Sequence, residues 1–343
     1  TGVQTCALPI WRAMSNNLDF LYYCDSYPAI GMGHLKRGID IVREILNQEP
    51  ELQIAMAGHF SQSAWNFLQK LKPESIPVFR DELPPAKVNL ALLDTINPGD
   101  ASTIPLKKAQ KLKQLSQKLF TINTGFETHI PDCIDGIINY IPIADYSGNT
   151  DAKMFLGVEY APVSPEFVPG EWEQNQRILA LIGGNQNQYG PALLCEKLVQ
   201  ILPEKYSIDF ILSPHFPRER KRRLKYNYPK INFYQNLDSV VEYMGGAQAV
   251  ITTYGNATWE ALTLRRPVFI ASYLEFQKRF AGYLDEQEYA VDLGYFKDLA
   301  DEKMALLYDE SFQKNRVEKL EDKFQTPGIV NIAKIICEEI HVS

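Results

Sequence analysis

The chain has 343 residues, long for one core and ample for two domains of about 150 residues each. Its 35 Lys and Arg against 42 Asp and Glu leave a net charge of −7, which argues against coating nucleic acid through bulk electrostatics. Apolar residues at 45% and charged residues at 22% are the balance of a soluble globular protein, and no apolar run approaches the roughly 18 residues of a membrane span. Five scattered cysteines without CxxC spacing argue for a reducing, cytoplasmic setting and against a disulfide framework or zinc site.

The opening TGVQTCALPIWRA resembles read-through from a sequencing adapter, so residues 1–13 are expected to be a non-native leader. A truncated signal peptide is the rival expectation, but no basic stretch precedes the short apolar run. From there the pattern is strand, turn, helix, repeated. LDFLYYC (18–24) reads as a buried strand, followed by a glycine-containing turn and a helix from His34 to about Leu46. LQIAMAG (52–58) and VNLALLD (88–94) are further strands; the second is nearly continuously apolar, as a parallel strand covered on both faces is. PLKKAQKLKQLSQKL (105–119), with leucines at 106, 112, 115 and 119, predicts an amphipathic helix. LFTIN (119–123) and GIINYI (136–141) complete a first α/β unit, residues 14–162.

PVSPEFVPGEWEQNQ carries three prolines and several charges, and predicts a linker over 163–177. A second series occupies 178–327. It opens with the strand RILALIG (177–183), a helix from about Pro191 to Leu202 and the strand YSIDFILS (206–213). Short strands at 231–234, 248–253 and 267–272 alternate with helices near 238–243, 257–265 and 275–287. GIVNIAKIICEEI has one apolar face and predicts a closing helix within 328–341. The fold class expected is therefore α/β, with two doubly wound Rossmann-like domains facing a cleft. Ligands of such sheets bind beyond the carboxyl ends of the strands, so functional residues are expected in the turns after strands.

Three such turns stand out. AIGMGHLKR (29–37) places Gly31 and Gly33 where a tight turn is expected and His34 at a helix start, beside unpaired amides and the positive end of the helix dipole. Imidazole suits the role of a base toward water or a hydroxyl, although a packing or capping histidine is the plainer alternative. The turn is not GxGxxG, since Lys36 stands where a third glycine would, which disfavours a dinucleotide site. LIGGNQNQYG (181–190), with Gly183, Gly184 and Asn185, predicts an anion cradle suited to a diphosphate, or an ordinary glycine-rich turn. In ITTYGNATWEAL (251–262) the amides of Asn256, Ala257 and Thr258 after Gly255 are expected to face phosphate. Glu260, inside the first turns of the following helix, offers a carboxylate to two ribose hydroxyls, or simply favours the helix dipole.

In this order, the motifs resemble GT-B-type nucleotide-sugar enzymes. The resemblance is to the UDP-sugar hydrolase of the pseudaminic acid pathway and its spore-coat-polysaccharide relatives, similar in turn to the peptidoglycan N-acetylglucosaminyltransferase. That family's GxGHxxR turn matches Gly31, Gly33, His34 and Arg37, and its strand ending in Asp matches LALLD, giving Asp94. FLGVEYAPVSPEF, with Gly157, Tyr160 and Phe167, resembles its junction, and Phe276 and Gln277 resemble a segment before its last large helix. The resemblance spans about residues 18–295. It implies that His34 activates water toward the anomeric carbon of a UDP-linked amino sugar. It implies too that Asp94 orients His34 or the sugar, and that Arg37 and Gln277 belong to the site. INTGFETHI (122–130), with Glu127 and His129, departs from the paired acidic residues usual there, and 97–104 and 144–155 look like insertions. An inverting glycosyltransferase using the same donor, or a non-catalytic nucleotide-sugar binding protein, are the alternatives. The sequence has no D-x-D tripeptide, and neither metal nor cofactor is expected. The partner expected is a small nucleotide-sugar, without nucleic acid and with peripheral membrane contact at most. The basic run RERKRRLK (218–225) reads first as a solvated helix face, and His59 is a candidate to reach the site.

Overall fold

The computed structural model describes residues 17–342 apart from 28–29, 31, 97–103, 123–126, 142–144, 150, 183–188, 214–215 and 238. The leader 1–13 and most of the 97–104 insertion lie outside the described residues. The elements run β1 (Asn17–Cys24), α1 (Gly33–Gln48), β2 (Ile54–Gly58), α2 (Gln62–Leu71), β3 (Val78–Arg80), β4 (Lys87–Asp94), α3 (Leu106–Leu115), β5 (Ser116–Ile122), β6 (Glu127–Ile130), β7 (Gly136–Asn139), β8 (Asp145–Gly148) and β9 (Lys153–Leu156). They continue with β10 (Arg177–Ile182), α4 (Gly190–Ile201), β11 (Ser207–Leu212), α5 (Arg218–Asn227), β12 (Ile231–Gln235), α6 (Val241–Gly245), β13 (Ala249–Thr252), α7 (Asn256–Thr263), β14 (Val268–Ser272), α8 (Glu275–Glu286), β15 (Ala290–Tyr295), α9 (Asp301–Ala305), α10 (Glu310–Glu321) and α11 (Gly328–His341).

Contacts divide the chain into two compact units, cut between Pro165 and Glu166 and again between Pro327 and Gly328, so α11 belongs to the first. The first unit's sheet runs β3-β2-β1-β4-β5-β7-β9, and the second's runs β12-β11-β10-β13-β14-β15. The pairs of both sheets are parallel. In each unit the chain winds outward from its first strand, returns, and winds the other way. The reversal falls between β1 and β4 in the first unit and between β10 and β13 in the second. At such a point adjacent crossovers diverge to opposite faces and leave a crevice at the strands' carboxyl ends.

Both faces of the first sheet are covered, which is why its strands are apolar throughout. On one face Leu35, Ile39, Val42 and Ile45 of α1 pack with Ile329, Ile332, Ala333 and Ile336 of α11. The other face buries Leu21, Ala91 and Leu93 with Ala109 and Leu112 of α3. The amphipathic helix expected over 105–119 ends at Leu115: Leu106 is exposed, and Leu119 belongs to β5. Ser116 caps the last turn, its hydroxyl donating to the Leu112 carbonyl, and its own backbone starts the strand, so one leucine spacing crosses two elements. The proline-rich stretch before β10 has no helix or strand between Phe167 and Gln176, yet it is anchored to the second unit. Phe167 is buried, Trp172 Nε1 donates to the Gln248 carbonyl at 2.8 Å, and Arg266 donates to the Glu171 carbonyl at 2.7 Å. No helix among the described residues is long and apolar enough to cross a membrane.

One close approach in the first unit depends on Gly38. A Cβ there would stand 2.2 Å from the ring of Tyr22, which is fully buried. The missing side chain lets α1 close onto β1 with the Tyr22 ring between them. Gly38→Ala is therefore expected to cost about 1–3 kcal/mol by overpacking. Calorimetry of the full chain should show the first unit's transition at lower temperature, with the second unit's unmoved.

Candidate functional site

Asp94 is the last residue of β4 and pairs in register with Cys24 at the end of β1, so it sits at the reversal point of the first sheet. It is fully buried. A lone carboxylate there would be several kcal/mol out of favour, so its neighbours must supply donors and positive charge. They do. Arg37 Nε donates to Asp94 Oδ2 at 2.7 Å, and Arg37 Nη2 donates to Oδ1. The hydroxyl of Tyr22, from the strand beside β4, donates to Oδ2. His34 Nδ1 lies 2.8 Å from Oδ1. His34 and Arg37 stand three residues apart on α1, a spacing that puts both on one helix face.

The electrostatics follow from this packing. Burial pushes the Asp94 carboxyl up, but Arg37 and then His34 outweigh it and hold the group well below the usual carboxylate range. Burial lowers the Arg37 guanidinium, and Asp94 more than restores it, leaving it above its ordinary value. Burial and the adjacent Asp94 raise the Tyr22 phenol, which stays a neutral donor. Tyr140, also buried, has its phenol pushed up by burial with Arg37 opposing. Asp94 is thus a fixed anion, and its only use for His34 Nδ1 is as a donor. Arg37 Nη2, 2.9 Å from the same nitrogen, is itself a donor and so opposes a proton on Nδ1. The carboxylate favours the Nδ1–H tautomer, in which the ring's lone pair sits on Nε2. The His34 side chain is 14% exposed, which leaves the ring reachable but held.

Of the residues expected in this turn, His34 and Arg37 come together with Asp94 from the end of β4, and Gly31 lies outside the described residues. Gly33 differs from its expected role. It is the first residue of α1, its backbone has no left-handed torsion, and a Cβ there would meet nothing within 4 Å. Neither the turn nor the packing requires glycine at that position.

Sequence reasoning missed two parts of this edge. Tyr22 had no signal beyond being an aromatic residue in a strand. Asp25, directly after β1, had one: like Asp94, it is an acidic residue at the end of an apolar run. It is fully buried and accepts from Thr95 Oγ1 at 2.8 Å, from the His59 backbone at 3.1 Å and from Lys108 Nζ. His59 is exposed, with Nδ1 against Asp81. A cavity of about 430 Å³ beside it is lined by residues including Tyr23, Asp81, Lys108 and Lys111. Glu127 and His129 belong to β6, which pairs with β8 outside the seven-stranded sheet.

In the second unit Gly183, Gly184 and Asn185 lie outside the described residues. The turn after β13 is described. Gly255 precedes α7 in extended conformation, and a Cβ there would come no closer than 4.0 Å to the Thr253 carbonyl, so glycine is not sterically required. Asn256 and Ala257 open the helix, where amides lack intrahelical acceptors. Thr258 departs from expectation: its amide donates to the Gly255 carbonyl at 3.0 Å, so it closes the turn instead of facing a phosphate. Its buried hydroxyl donates to the Thr253 carbonyl at 3.1 Å, with Thr252 Oγ1 at 3.0 Å. Glu260 is the fifth residue of α7, one turn past its start, and half-buried. Tyr254 stacks on Phe280 with centroids 4.1 Å apart, bracing α7 against α8. Gln277 acts locally. Its Oε1 accepts from the amides of Tyr273 at 3.1 Å and Leu274 at 3.3 Å, capping the start of α8.

No family model matches the sequence, and no curated protein matches it. Solved structures do. CalG4, the calicheamicin glycosyltransferase, is similar at TM-score 0.63 and 10% identity, over 94% of this chain and 98% of that one. A UDP-glucosyltransferase from Polygonum tinctorium, described as capable of glucosylating indoxyl, is similar at TM-score 0.58 and 11% identity over 94% and 98%. A UDP-N-acetylglucosamine 2-epimerase is similar at TM-score 0.57 and 11% identity over 94% and 95%. At such identities the likeness shows the fold: α/β, with two doubly wound Rossmann-like units of the GT-B type.

Asp94→Asn should expose the balance at this site. It leaves the Arg37 charge buried beside a neutral amide, at a cost of about 3–5 kcal/mol at pH 7. Because the folded carboxyl is held below its unfolded value, its stabilisation is complete above about pH 4 and fades as the pH falls below that. Urea unfolding at a series of pH values should show the gap between parent and variant constant near neutrality. Below about pH 4 it should narrow by about 1.4 kcal/mol per unit.

Proposed function

We propose that this chain is an enzyme acting on a nucleotide-linked sugar, and that it transfers the glycosyl group to an acceptor hydroxyl with inversion. The observation that carries this is the buried Asp94 carboxylate 2.8 Å from His34 Nδ1, at the reversal point of the first sheet, where it favours the Nδ1–H tautomer. It leaves Nε2 as a base at the edge where ligands of such sheets bind. In the proposed step Nε2 takes the acceptor's hydroxyl proton as its oxygen bonds to the anomeric carbon. The bond from that carbon to the phosphate oxygen breaks, and the nucleoside diphosphate leaves with the electron pair. The activities named for the structural neighbours, two glycosyltransferases and an epimerase of UDP-N-acetylglucosamine, support a UDP-sugar as the donor.

The nucleotide is assigned to the second unit. The amides of Asn256 and Ala257 at the head of α7 suit a phosphate, together with the turn at Gly183, Gly184 and Asn185, and Glu260 suits the ribose hydroxyls. Gln277 contributes to this site through the turn that it caps. Dispersed donors of this kind offset the charge that develops on a diphosphate leaving group.

Hydrolysis is the second reading. The ordered set of motifs from GMGHLKR to the Gly255–Glu260 turn favours it, because that set resembles a hydrolase of UDP-linked amino sugars. The same base would then take its proton from water. A binding protein without turnover is disfavoured by the held base.

Diphosphate release measured over a panel of UDP-sugars, with and without hydroxyl acceptors, separates the readings. Release that requires an acceptor supports transfer; equal release in water alone would replace it with hydrolysis. His34→Ala is expected to lower turnover by about 10²–10⁴-fold while UDP affinity stays within about twofold. Glu260→Ala should show the opposite split, weakening UDP binding by about tenfold or more. Loss of UDP affinity in His34→Ala with turnover retained would overturn the assignment of the base.

A further inference from the structure

The second unit contains one helix that works against its own stability. α5, RERKRRLKYN, carries six basic residues and one acidic residue in ten positions, a net charge of +5. Removing that +5 from the chain's −7 leaves −12 for the rest of the protein, so positive charge is concentrated here against the overall balance. Arg218, Arg220 and Lys221 crowd the first turn, where the helix dipole disfavours cations. Arg218, Arg222 and Lys225 follow at i, i+4 and i+7, a stripe of like charges that repel along one face. Burial and then Lys225 lower the Lys221 ammonium from its ordinary value. Glu219 pairs with Arg222 and Arg223, a single acid among six bases.

The helix is nevertheless fixed in place. Leu224 is buried in the core of the second unit, which turns the Arg218–Arg222–Lys225 stripe outward. Two aromatic rings flank the charge. Tyr226 is 86% exposed, and Tyr189, 72% exposed, lies 5.4 Å beneath the guanidinium of Arg220. Exposed rings with a polar tip suit a boundary that is apolar on one side and wet on the other.

We propose that α5 docks the second unit on an anionic bilayer surface, with the Arg218–Arg222–Lys225 stripe against lipid phosphates and Tyr226 at headgroup level. Nucleic acid is the rival polyanion. A nucleic-acid strand follows a protein over a longer track of basic residues than one ten-residue helix offers. A flat charged surface meets the outward stripe and the exposed Tyr226 together, and its field fades within about one Debye length, roughly 8–10 Å. The proposal is independent of the reaction assigned above.

The test is co-sedimentation of the full chain with vesicles of phosphatidylcholine containing about 30 mol% phosphatidylglycerol, at about 50 mM and about 500 mM NaCl. The expected result is binding to these vesicles at low salt, release at high salt, and no binding to phosphatidylcholine alone. Reversing the stripe in the triple variant R218E/R222E/K225E should lower partitioning by about tenfold or more. The neutral triple R218Q/R222Q/K225Q, with a thermal midpoint at or above the parent's, keeps the result readable should the reversed helix unfold. It should also bind less. Absence of binding at low salt, binding that the neutral triple retains, or tighter salt-sensitive binding to a single-stranded RNA than to the vesicles would each overturn the proposal.

Discussion

A carboxylate with no exposed surface is the constraint around which the first unit is arranged. Asp94 at the end of β4 keeps its charge only because Arg37, His34 and Tyr22 surround it. Each of those depends on a feature of the backbone. Tyr22 reaches it because β1 and β4 are neighbours, although about 70 residues of chain separate them. His34 and Arg37 reach it because they share a face of α1, and α1 lies close enough because Gly38 has no side chain to hold it off the Tyr22 ring. Satisfying one buried charge thus fixes the orientation of an imidazole through its Nδ1.

The second unit repeats the strand order of the first, outward from the first strand and back at the fourth. The repetition explains why candidate residues in both units cluster in turns after the first and fourth strands. It also limits what fold can say. The structures sharing this architecture include glycosyltransferases and an epimerase, so the reaction is decided by which side chains occupy the strand ends and not by the sheets beneath them. Here those ends carry a second buried acid as well, Asp25 with Lys108 and Thr95, which ties α3 and the residue after β4 to the strand at the centre of the reversal.

Local rules failed in instructive places. Gly33 suggested a tight turn, yet its backbone is not left-handed and a Cβ there would not clash. Thr258 was expected to offer its amide outward, but the short turn after Gly255 consumes it. Gln277 resembles a ligand-facing residue in sequence, yet its oxygen is taken up by two backbone amides. In each case a hydrogen bond or a clearance of a few ångströms decided the outcome, and neither is visible in the order of residues. α5 is the reverse case: its charge is plain in sequence, and the burial of Leu224 is what turns the basic stripe outward.

What could be read from the residues alone was periodicity and punctuation. Continuous apolar runs separated by amphipathic stretches are enough to specify parallel strands covered on both faces, and hence two doubly wound units and the turns where a site belongs. His34 was legible because a histidine after Gly-Met-Gly at a helix start is a local pattern. The partnership of His34 with Asp94, Arg37 and Tyr22 was not, because those contacts are made by strand order, and strand order depends on which hydrophobic faces bury each other across the whole chain. The buried state of Asp94 and Asp25 was hidden for the same reason. Burial, and the charge balance it imposes, is a property of the assembled sheet and of the helices that close over it, and it has no counterpart along the chain.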